Sequence, residues 1–347
     1  YFGGIQMTPA SLMPECINED DGIYKMTVTF DPTWTDDPTK NTVLEAVYQD
    51  TLPSGSTIGA TVVCMHGSPG SHKDFKYFVP HLKDTGIRVI GINFPGFGHS
   101  EDTDDLLHTN EERCSFVQAI LDQLNISEGY IFFGHSRGAE NALMLAARLK
   151  TRTLAVALAN APGLRRHQTI KYPGIVTRIC AIYESYSWMR APIEYCMLKF
   201  YNWMGIRSRS GRVVMNSMKS MRSIAFESKR HFVDTVNETP TLKALICYGA
   251  RDHLIETSIS REYAELFTDR EHFVCASKDP DEEELMRNDL KKCLLSSPSK
   301  KTISIEFARD GHHGQRDRGG FWAWFIQNVV EVVMKESAAG DQPTKFF

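Results

Sequence analysis

Residues 129–145, GYIFFGHSRGAENALML, place one serine between two glycines where strand-forming sequence changes into helix-forming sequence. The aromatic and branched residues before Gly134 favour a buried β-strand, and the residues after Gly138 favour an α-helix. Because glycine lets two backbone segments approach closely, a very tight turn can form around Ser136. The stretch therefore predicts either a reactive serine presented at the end of a strand or a serine that caps the following helix.

The alternation of strand and helix continues on both sides of this turn. Eight segments have strand character: IYKMTVTF, TVLEAVYQD, ATVVCMHG, IRVIGINF, YIFF, LAVALANAPG, LKALICYGARD and TISIEFARDGHH. Segments with helical character separate many of them, among them KDFKYFVPHLKDTG at 73–86. This order predicts an α/β fold with a mostly parallel, eight-stranded sheet that helices cover on both faces.

The alternation stops after the sixth predicted strand. Residues 164–240 are rich in methionine and aromatic residues and have helical character. We expect them to form a helical cap inserted into an α/β core of residues 22–163 and 241–335. Residues 1–21 are predicted to be an N-terminal leader and residues 336–347 a C-terminal tail.

Composition limits the classes of function. The net charge of -4 gives no sign of a nucleic-acid partner, and the 8 cysteines include no Cys-x-x-Cys or Cys/His cluster. The cysteines thus give no sign of a metal site, and the sequence as a whole implies no metal or organic cofactor. No apolar run reaches the roughly 18 residues of a membrane span. The cysteines have the pattern of reduced thiols, and the given N-terminus shows no signal pattern, so a cytoplasmic location is expected and secretion is disfavoured.

Residues suited to catalysis follow four of the predicted strands. HGSPG begins at His66, GHSRG surrounds Ser136, GARD ends at Asp252 and GHH ends at His313. The carboxyl ends of parallel strands meet at one edge of a sheet, where α/β proteins hold their ligands. The order serine, aspartate, histidine along the chain is that of hydrolases with a nucleophile at a strand–helix turn.

With these motifs the sequence resembles the α/β-hydrolase superfamily over roughly residues 22–335. HGSPG, FPGFGHS and the helical insertion are most similar to the cap-bearing branch, which includes epoxide hydrolases and small-ester hydrolases. The chain is also similar to a group of uncharacterised nematode members. Epoxide hydrolases and haloalkane dehalogenases of this superfamily have an aspartate where this chain has Ser136. The resemblance therefore implies acyl transfer to water through an acyl-enzyme.

The resemblance also implies a base and an acid for Ser136. Asn160, which ends the strand before the insertion, has no carboxylate, so Asp252 is the predicted orienting acid unless it is a plain turn residue. His312 directly follows the glycine after the last strand, as in the family pattern. We prefer it as the base over His313, which is predicted to pack beside it or line the pocket.

Two backbone amides, those of Ser68 and Arg137, are the oxyanion donors that the resemblance implies. The Arg137 side chain is predicted either to pair with Glu140 one helical turn on or to contact an anionic group of the substrate. His135 is a candidate for pocket lining.

The predicted cap has two further features. Its methionines and aromatic residues, with Tyr183 and Trp188 as pocket candidates, form either a hydrophobic pocket or the cap's own core. The segment has 13 Lys and Arg against five Asp and Glu, about +8 in a chain of -4. This charge favours peripheral contact with an anionic membrane surface, attraction of acidic substrates, or docking of the cap on an acidic body.

These features predict a serine hydrolase acting on an ester or thioester of a hydrophobic or lipid-like small molecule. The same triad also serves acyltransferases, amidases and carbon–carbon hydrolases. The fold also serves as a ligand-binding module without turnover.

Overall fold

Ten strands form one sheet in the computed structural model, which describes residues 13–170, 172–224, 226–296 and 300–339. The strands are β1 (Glu15–Asn18), β2 (Ile23–Phe30), β3 (Thr42–Asp50), β4 (Thr61–Met65), β5 (Arg88–Ile92), β6 (Tyr130–His135), β7 (Thr153–Ala159), β8 (Lys243–Gly249), β9 (Arg270–Cys275) and β10 (Thr302–Phe307). Their order in the sheet is β1-β2-β3-β5-β4-β6-β7-β8-β10-β9. Every pair from β5 to β9 is parallel, whereas β1, β2 and β3 pair antiparallel. The predicted α/β class with a mostly parallel sheet is confirmed.

The sheet has two strands more than the eight predicted, and both lie at its edges. β1 lies in the predicted leader and all four of its residues are exposed. β9 lies in the charged segment before the last strand and buries little except Cys275. Neither segment has the apolar run or the alternation that marks a half-buried strand. Of the predicted leader and tail, residues 1–12 and 340–347 lie outside the described residues.

Helices cover both faces of the sheet. They are α1 (Asn110–Gln123), α2 (Arg137–Leu149), α3 (Pro173–Ser185), α4 (Arg190–Trp203), α5 (Gly211–Arg222), α6 (Arg230–Glu238), α7 (Thr257–Glu265), α8 (Pro280–Leu295), α9 (Gly314–Asp317) and α10 (Gly319–Ala339). One buried apolar cluster joins the sheet to α1, α2, α6 and α7. A second cluster on the opposite face joins it to α8 and α10. This two-sided burial explains why the central strands are almost continuously apolar.

The helix predicted at 73–86 is instead two short 3₁₀ turns, His72–Phe75 and Val79–Leu82. Pro80 accounts for the break, because its ring disfavours a helical conformation at the residue before it and it has no N–H. Phe75 and Phe78 still reach the core. The expected burial of apolar side chains in this segment is confirmed, but the predicted helix is wrong.

The cap is a helical unit with its own small core. α3 and α4 pack on α5, and the three helices enclose an apolar cluster of Cys180, Tyr183, Tyr201, Val214, Met215 and Met218. α6 belongs to the body instead, because Val233 and Val236 join the main cluster beside α2. The independent unit therefore ends before α6 rather than at residue 240.

Candidate active site

The turn between β6 and α2 holds Ser136 in a strained conformation. Its φ of 50° and ψ of -122° lie in a region of backbone conformation that residues other than glycine rarely adopt. A Cβ at Gly134 would overlap the backbone of Gly138 and Ala139, and one at Gly138 would overlap the carbonyl oxygen of Met65. Both glycines are thus required for close packing of the turn against itself and against β4. The serine side chain makes no cap hydrogen bond to α2, which disfavours the N-cap interpretation.

The structure brings Ser136, His312 and Asp252 into one hydrogen-bonded chain. His312 Nε2 lies 2.9 Å from Ser136 Oγ, and His312 Nδ1 lies 2.7 Å from Asp252 Oδ2. Because a carboxylate only accepts, Nδ1–H donates to Asp252, which leaves Nε2 facing the serine hydroxyl as its acceptor. Asp252 and His312 are buried, and Ser136 is partly exposed. This arrangement suits proton transfer from the serine to the histidine.

Four donors hold the carboxylate of Asp252. Besides His312, they are the amides of Leu254 and Ile255, at 2.8 and 3.1 Å, and the Asn160 side-chain amide at 3.0 Å. Burial opposes the charge of Asp252, but the hydrogen bond and charge of His312 and the two backbone amides outweigh it. The pKa of Asp252 therefore lies below its ordinary value. An ionised Asp252 fixes the orientation and tautomer of His312.

The two other histidines of the site are placed differently from each other. His135 is buried, and its Nε2 donates to the carbonyl oxygen of His312 at 2.8 Å. Burial, together with the nearby His312, lowers the pKa of His135 well below its ordinary value, so the ring is neutral. His135 was expected to line a pocket. It is instead buried and holds the loop that carries His312. His313 is exposed, and its ring packs beside those of His135 and His312.

The predicted oxyanion donors lie on the two segments that meet at Ser136. The loop after β4 passes directly beside the turn, because a Cβ at Gly67 would lie 3.2 Å from Ser136 Cβ. Ser68 is the next residue of that loop. Arg137 is the first residue of α2, so its amide has no acceptor within the helix. The positive end of the α2 dipole adds to the potential there.

Two buried side chains, those of His66 and Arg113, hold the loop that carries Ser68. His66 Nδ1 lies 2.6 Å from the carbonyl oxygen of Gly67, and its Nε2 accepts from the Phe94 amide at 3.2 Å. Burial, with a contribution from the charge of Arg113, lowers the pKa of His66 to about 3, so this histidine is neutral and structural. Arg113 Nη2 donates to Ser68 Oγ at 3.2 Å.

The Arg137 side chain points away from Ser136 and into the protein. It is buried and forms an ion pair with Glu140, so the predicted structural pair is confirmed. The same guanidinium donates to Asn110 and, at 3.1 Å, to the carbonyl oxygen of Ser220 in α5. Lys229 also contacts Glu140. Arg137 therefore links the turn to the cap, and its side chain is not available to an anionic substrate group.

The two aromatic pocket candidates lie elsewhere in the cap. Tyr183 is enclosed in the cap's own cluster, and its hydroxyl donates to Glu194. Trp188 is 73% exposed, in the short turn between α3 and α4, and its ring contacts Tyr186. Helical spacing alone could not tell a side chain that faces the cap core from one that faces a substrate.

Sequence reasoning missed two residues of the site. Asn160 has no carboxylate and so does not fit the role of the acid, yet its position directly after β7 is the signal that it lies beside the triad. Arg113 continues the buried stripe of Phe116, Val117 and Ile120 along α1. A cation on an apolar helix face was the signal that it has a buried partner.

Nothing in the described ranges resembles a metal site, since no three His, Cys, Asp or Glu side chains converge. No helix in the described part of the chain combines the length and apolar composition needed to cross a bilayer.

The sheet order, the strained serine and the strand-end histidine and aspartate define the class of α/β hydrolases. The chain belongs to the family described as "Alpha/beta hydrolase of unknown function (DUF1057)", whose sequence model matches residues 23–332. The resemblance inferred from the motifs is thereby confirmed.

Individual relatives agree with this assignment. The uncharacterised protein F35H12.5 of Caenorhabditis elegans is 30% identical over 306 residues, 85% of this chain and 82% of that protein. Bifunctional epoxide hydrolase 2 of Sus scrofa is 30% identical over 105 residues, 30% of this chain but 19% of that protein. Among solved structures, an esterase from Thermogutta terrifontis is similar with a TM-score of 0.59 and 14% identity, covering 89% of this chain and 99% of that one. At this identity the likeness shows the fold alone.

Proposed function

We propose that this protein hydrolyses carboxylic esters or thioesters of hydrophobic substrates through an acyl-enzyme on Ser136. The hydrogen-bonded chain from Ser136 Oγ through His312 to Asp252, with distances of 2.9 and 2.7 Å, is the observation that carries the proposal. A serine hydroxyl is a weak nucleophile at neutral pH unless a base beside it accepts its proton. His312 has the position and the free nitrogen for that role.

The reaction then proceeds in two halves. Ser136 Oγ attacks the carbonyl carbon while His312 Nε2 takes the hydroxyl proton, and the charge of Asp252 stabilises the imidazolium. The amides of Ser68 and Arg137 stabilise the oxyanion, each contributing about 3 kcal/mol. When the tetrahedral intermediate collapses, the alcohol or thiol leaves with the proton from His312. A water molecule, deprotonated by the same nitrogen, then releases the carboxylic acid and restores Ser136.

Ser136 also argues against the chemistry named for some of the relatives. Attack of a serine on an epoxide or an alkyl halide would leave an ether on Ser136. A water activated by His312 could not cleave that ether, so the enzyme would be used up. An acyl ester on Ser136 is cleaved by the same water, so turnover requires an acyl substrate.

The position of the cap beside the active site supports a hydrophobic substrate. A hydrogen bond from the Arg137 side chain to the carbonyl oxygen of Ser220 holds α5 next to the active-site turn. Met215 and Met218 of α5 lie in the cap core, but Met221, next to Ser220, is partly exposed, and methionine adapts to flexible apolar groups.

Esters and thioesters of graded acyl length test the proposal on the wild-type chain, Ser136→Ala and Ser260→Ala. Ser260 is a matched control because it is a buried serine on α7, outside the site. We expect hydrolysis that increases with acyl length and falls by about a thousandfold or more in Ser136→Ala. Ser260→Ala should retain nearly full activity. Hydrolysis that persists in folded Ser136→Ala would contradict the proposal, and so would no hydrolysis of any member of the panel.

A further inference from the structure

The cap exposes apolar and basic side chains on the sides of α3 and α4 that are turned away from its own core. On α3 the side chains opposite the buried Cys180 and Tyr183 are Ile175, Arg178 and Ile182, all exposed. Their spacing of three and four residues places them on one face of the helix.

α4 repeats this arrangement. Tyr195, Lys199 and Trp203 recur every four residues on the side opposite the buried Tyr201, and Trp203 is 81% exposed. Trp188 is exposed in the turn that joins the two helices. We call Ile175, Arg178, Ile182, Trp188, Tyr195, Lys199 and Trp203 the outer cap face.

Exposed tryptophans of this kind need an explanation. Single exposed apolar residues are ordinary, but several on adjoining helices mark a surface that contacts a partner. Trp and Tyr are favoured at the boundary between lipid headgroups and acyl chains because their rings are apolar and carry one polar group. Helices with an apolar face and basic residues lie in that boundary.

The charges of the outer cap face have one sign. Neither Arg178 nor Lys199 forms an ion pair within the described residues, and Lys199 lies over the Tyr195 ring at 5.5 Å. The two carboxylates of residues 172–209 are engaged within the cap, Glu184 with Arg222 and Glu194 with Tyr183.

From the apolar exposure and the charge we propose that the outer cap face binds the surface of an anionic lipid bilayer. An anionic bilayer complements both features, since it offers negative charge to Arg178 and Lys199 and an apolar layer to the tryptophans. A second copy of this face would bring like charges together. Two other arginines of the cap are less available to lipid because they contact the body. Arg209 donates to the carbonyl oxygen of Gly98, and Arg212 forms ion pairs with Asp102 and Asp104.

Vesicle sedimentation with the full chain tests the proposal. One set of vesicles is phosphatidylcholine alone, and the other contains about one third phosphatidylserine. We expect binding to the anionic vesicles, weaker binding at high salt, and a blue shift of tryptophan emission on binding. Trp188→Ser/Trp203→Ser should reduce partitioning by about tenfold or more, since burial of each ring is lost. Arg178→Glu/Lys199→Glu should reduce it by about fivefold or more for each cation.

The matched control is Tyr77→Ser/Leu285→Ser, which removes two exposed apolar side chains of the body. It should bind vesicles like the wild type, and all variants should keep the wild-type unfolding temperature because the replaced side chains are exposed. Equal binding to both vesicle types, or undiminished binding of the tryptophan variant, would overturn the proposal. A wild-type dimer that the tryptophan variant loses would overturn it too, in favour of self-association.

Discussion

At the residue scale, the site depends on how firmly Asp252 is held. Asn160 donates to Asp252 Oδ2, the same oxygen that accepts from His312, and also to the carbonyl oxygen of Gly311 just before that histidine. One amide thus fixes both the acid and the loop that carries the base. Asn160 is a positioning residue, because it acts through these two neighbours.

Replacement of Asn160 by alanine should therefore lower kcat more than it changes KM. A lost hydrogen bond to a charged group costs about 1.5–3 kcal/mol, which corresponds to about tenfold or more in rate. Steady-state kinetics on a short ester measures the effect, and Asn328→Ala is the control because it removes an amide hydrogen bond on α10 instead. An unchanged kcat in Asn160→Ala would show that Asn160 does not position the acid or the base.

Replacement of the two adjacent histidines by alanine should lower kcat to very different extents. Only His312 lies between Ser136 and Asp252, so His312→Ala should lower kcat by about three orders of magnitude. His313 is exposed and packs beside it, so His313→Ala should cost less than about tenfold. The same kinetic assay compares the kcat of the two variants. A larger loss in His313→Ala would show that His313, and not His312, is the base.

At the element scale, the strand–turn–helix unit at Ser136 is set by sterics. Gly134 and Gly138 lie against backbone atoms, which cannot move aside as the end of a side chain can. Alanine at either position should destabilise the fold by about 3 kcal/mol and abolish ester hydrolysis. Chemical denaturation measures the first effect.

Gly174, near the start of α3, is the matched control for those two glycines. A Cβ there would meet no atom within 4 Å, so Gly174→Ala should leave stability unchanged or raise it by a few tenths of a kcal/mol. Similar losses at all three positions would show that the close packing of the turn is not the cause.

The elements with strong local patterns were the ones that sequence could predict. GHSRG between a buried strand and a helix indicated the turn, and GARD and GHH at strand ends indicated where Asp252 and His312 lie. β9 was missed because an edge strand buries few side chains and has no clear alternation. The end of the cap was misplaced because α6 has the same helical character as α5, and only tertiary packing assigns it to the body.

Across the whole molecule, two sets of basic cap residues have different roles. The inner set docks the cap on the body: Arg212 pairs with Asp102 and Asp104, and Lys219 donates to the carbonyl oxygen of Leu106. The neutral Asn216 also donates to Asp102. The outer set, Arg178 and Lys199 of the outer cap face, has no carboxylate partner in the described residues. The docking explanation of the cap's charge therefore holds for part of that charge only.

Loss of the docking charges should loosen the cap and leave the sheet unchanged. In Asp102→Asn/Asp104→Asn, partly exposed ion pairs worth about 1 kcal/mol are lost, so amide exchange in residues 173–222 should accelerate about fivefold. Hydrogen-exchange mass spectrometry detects this, with Asp289→Asn as the control because Asp289 pairs with Lys292 of the same helix, α8. Exchange that changes equally in cap and sheet would contradict this view of the interface.

Covalent labelling with a fluorophosphonate, followed by peptide mapping, shows whether Ser136 is the nucleophile of a hydrolase. We expect one adduct per chain, on the peptide that contains Ser136, and no adduct in folded Ser136→Ala. An adduct on any other residue, or an unlabelled Ser136 in a preparation that hydrolyses esters, would contradict it.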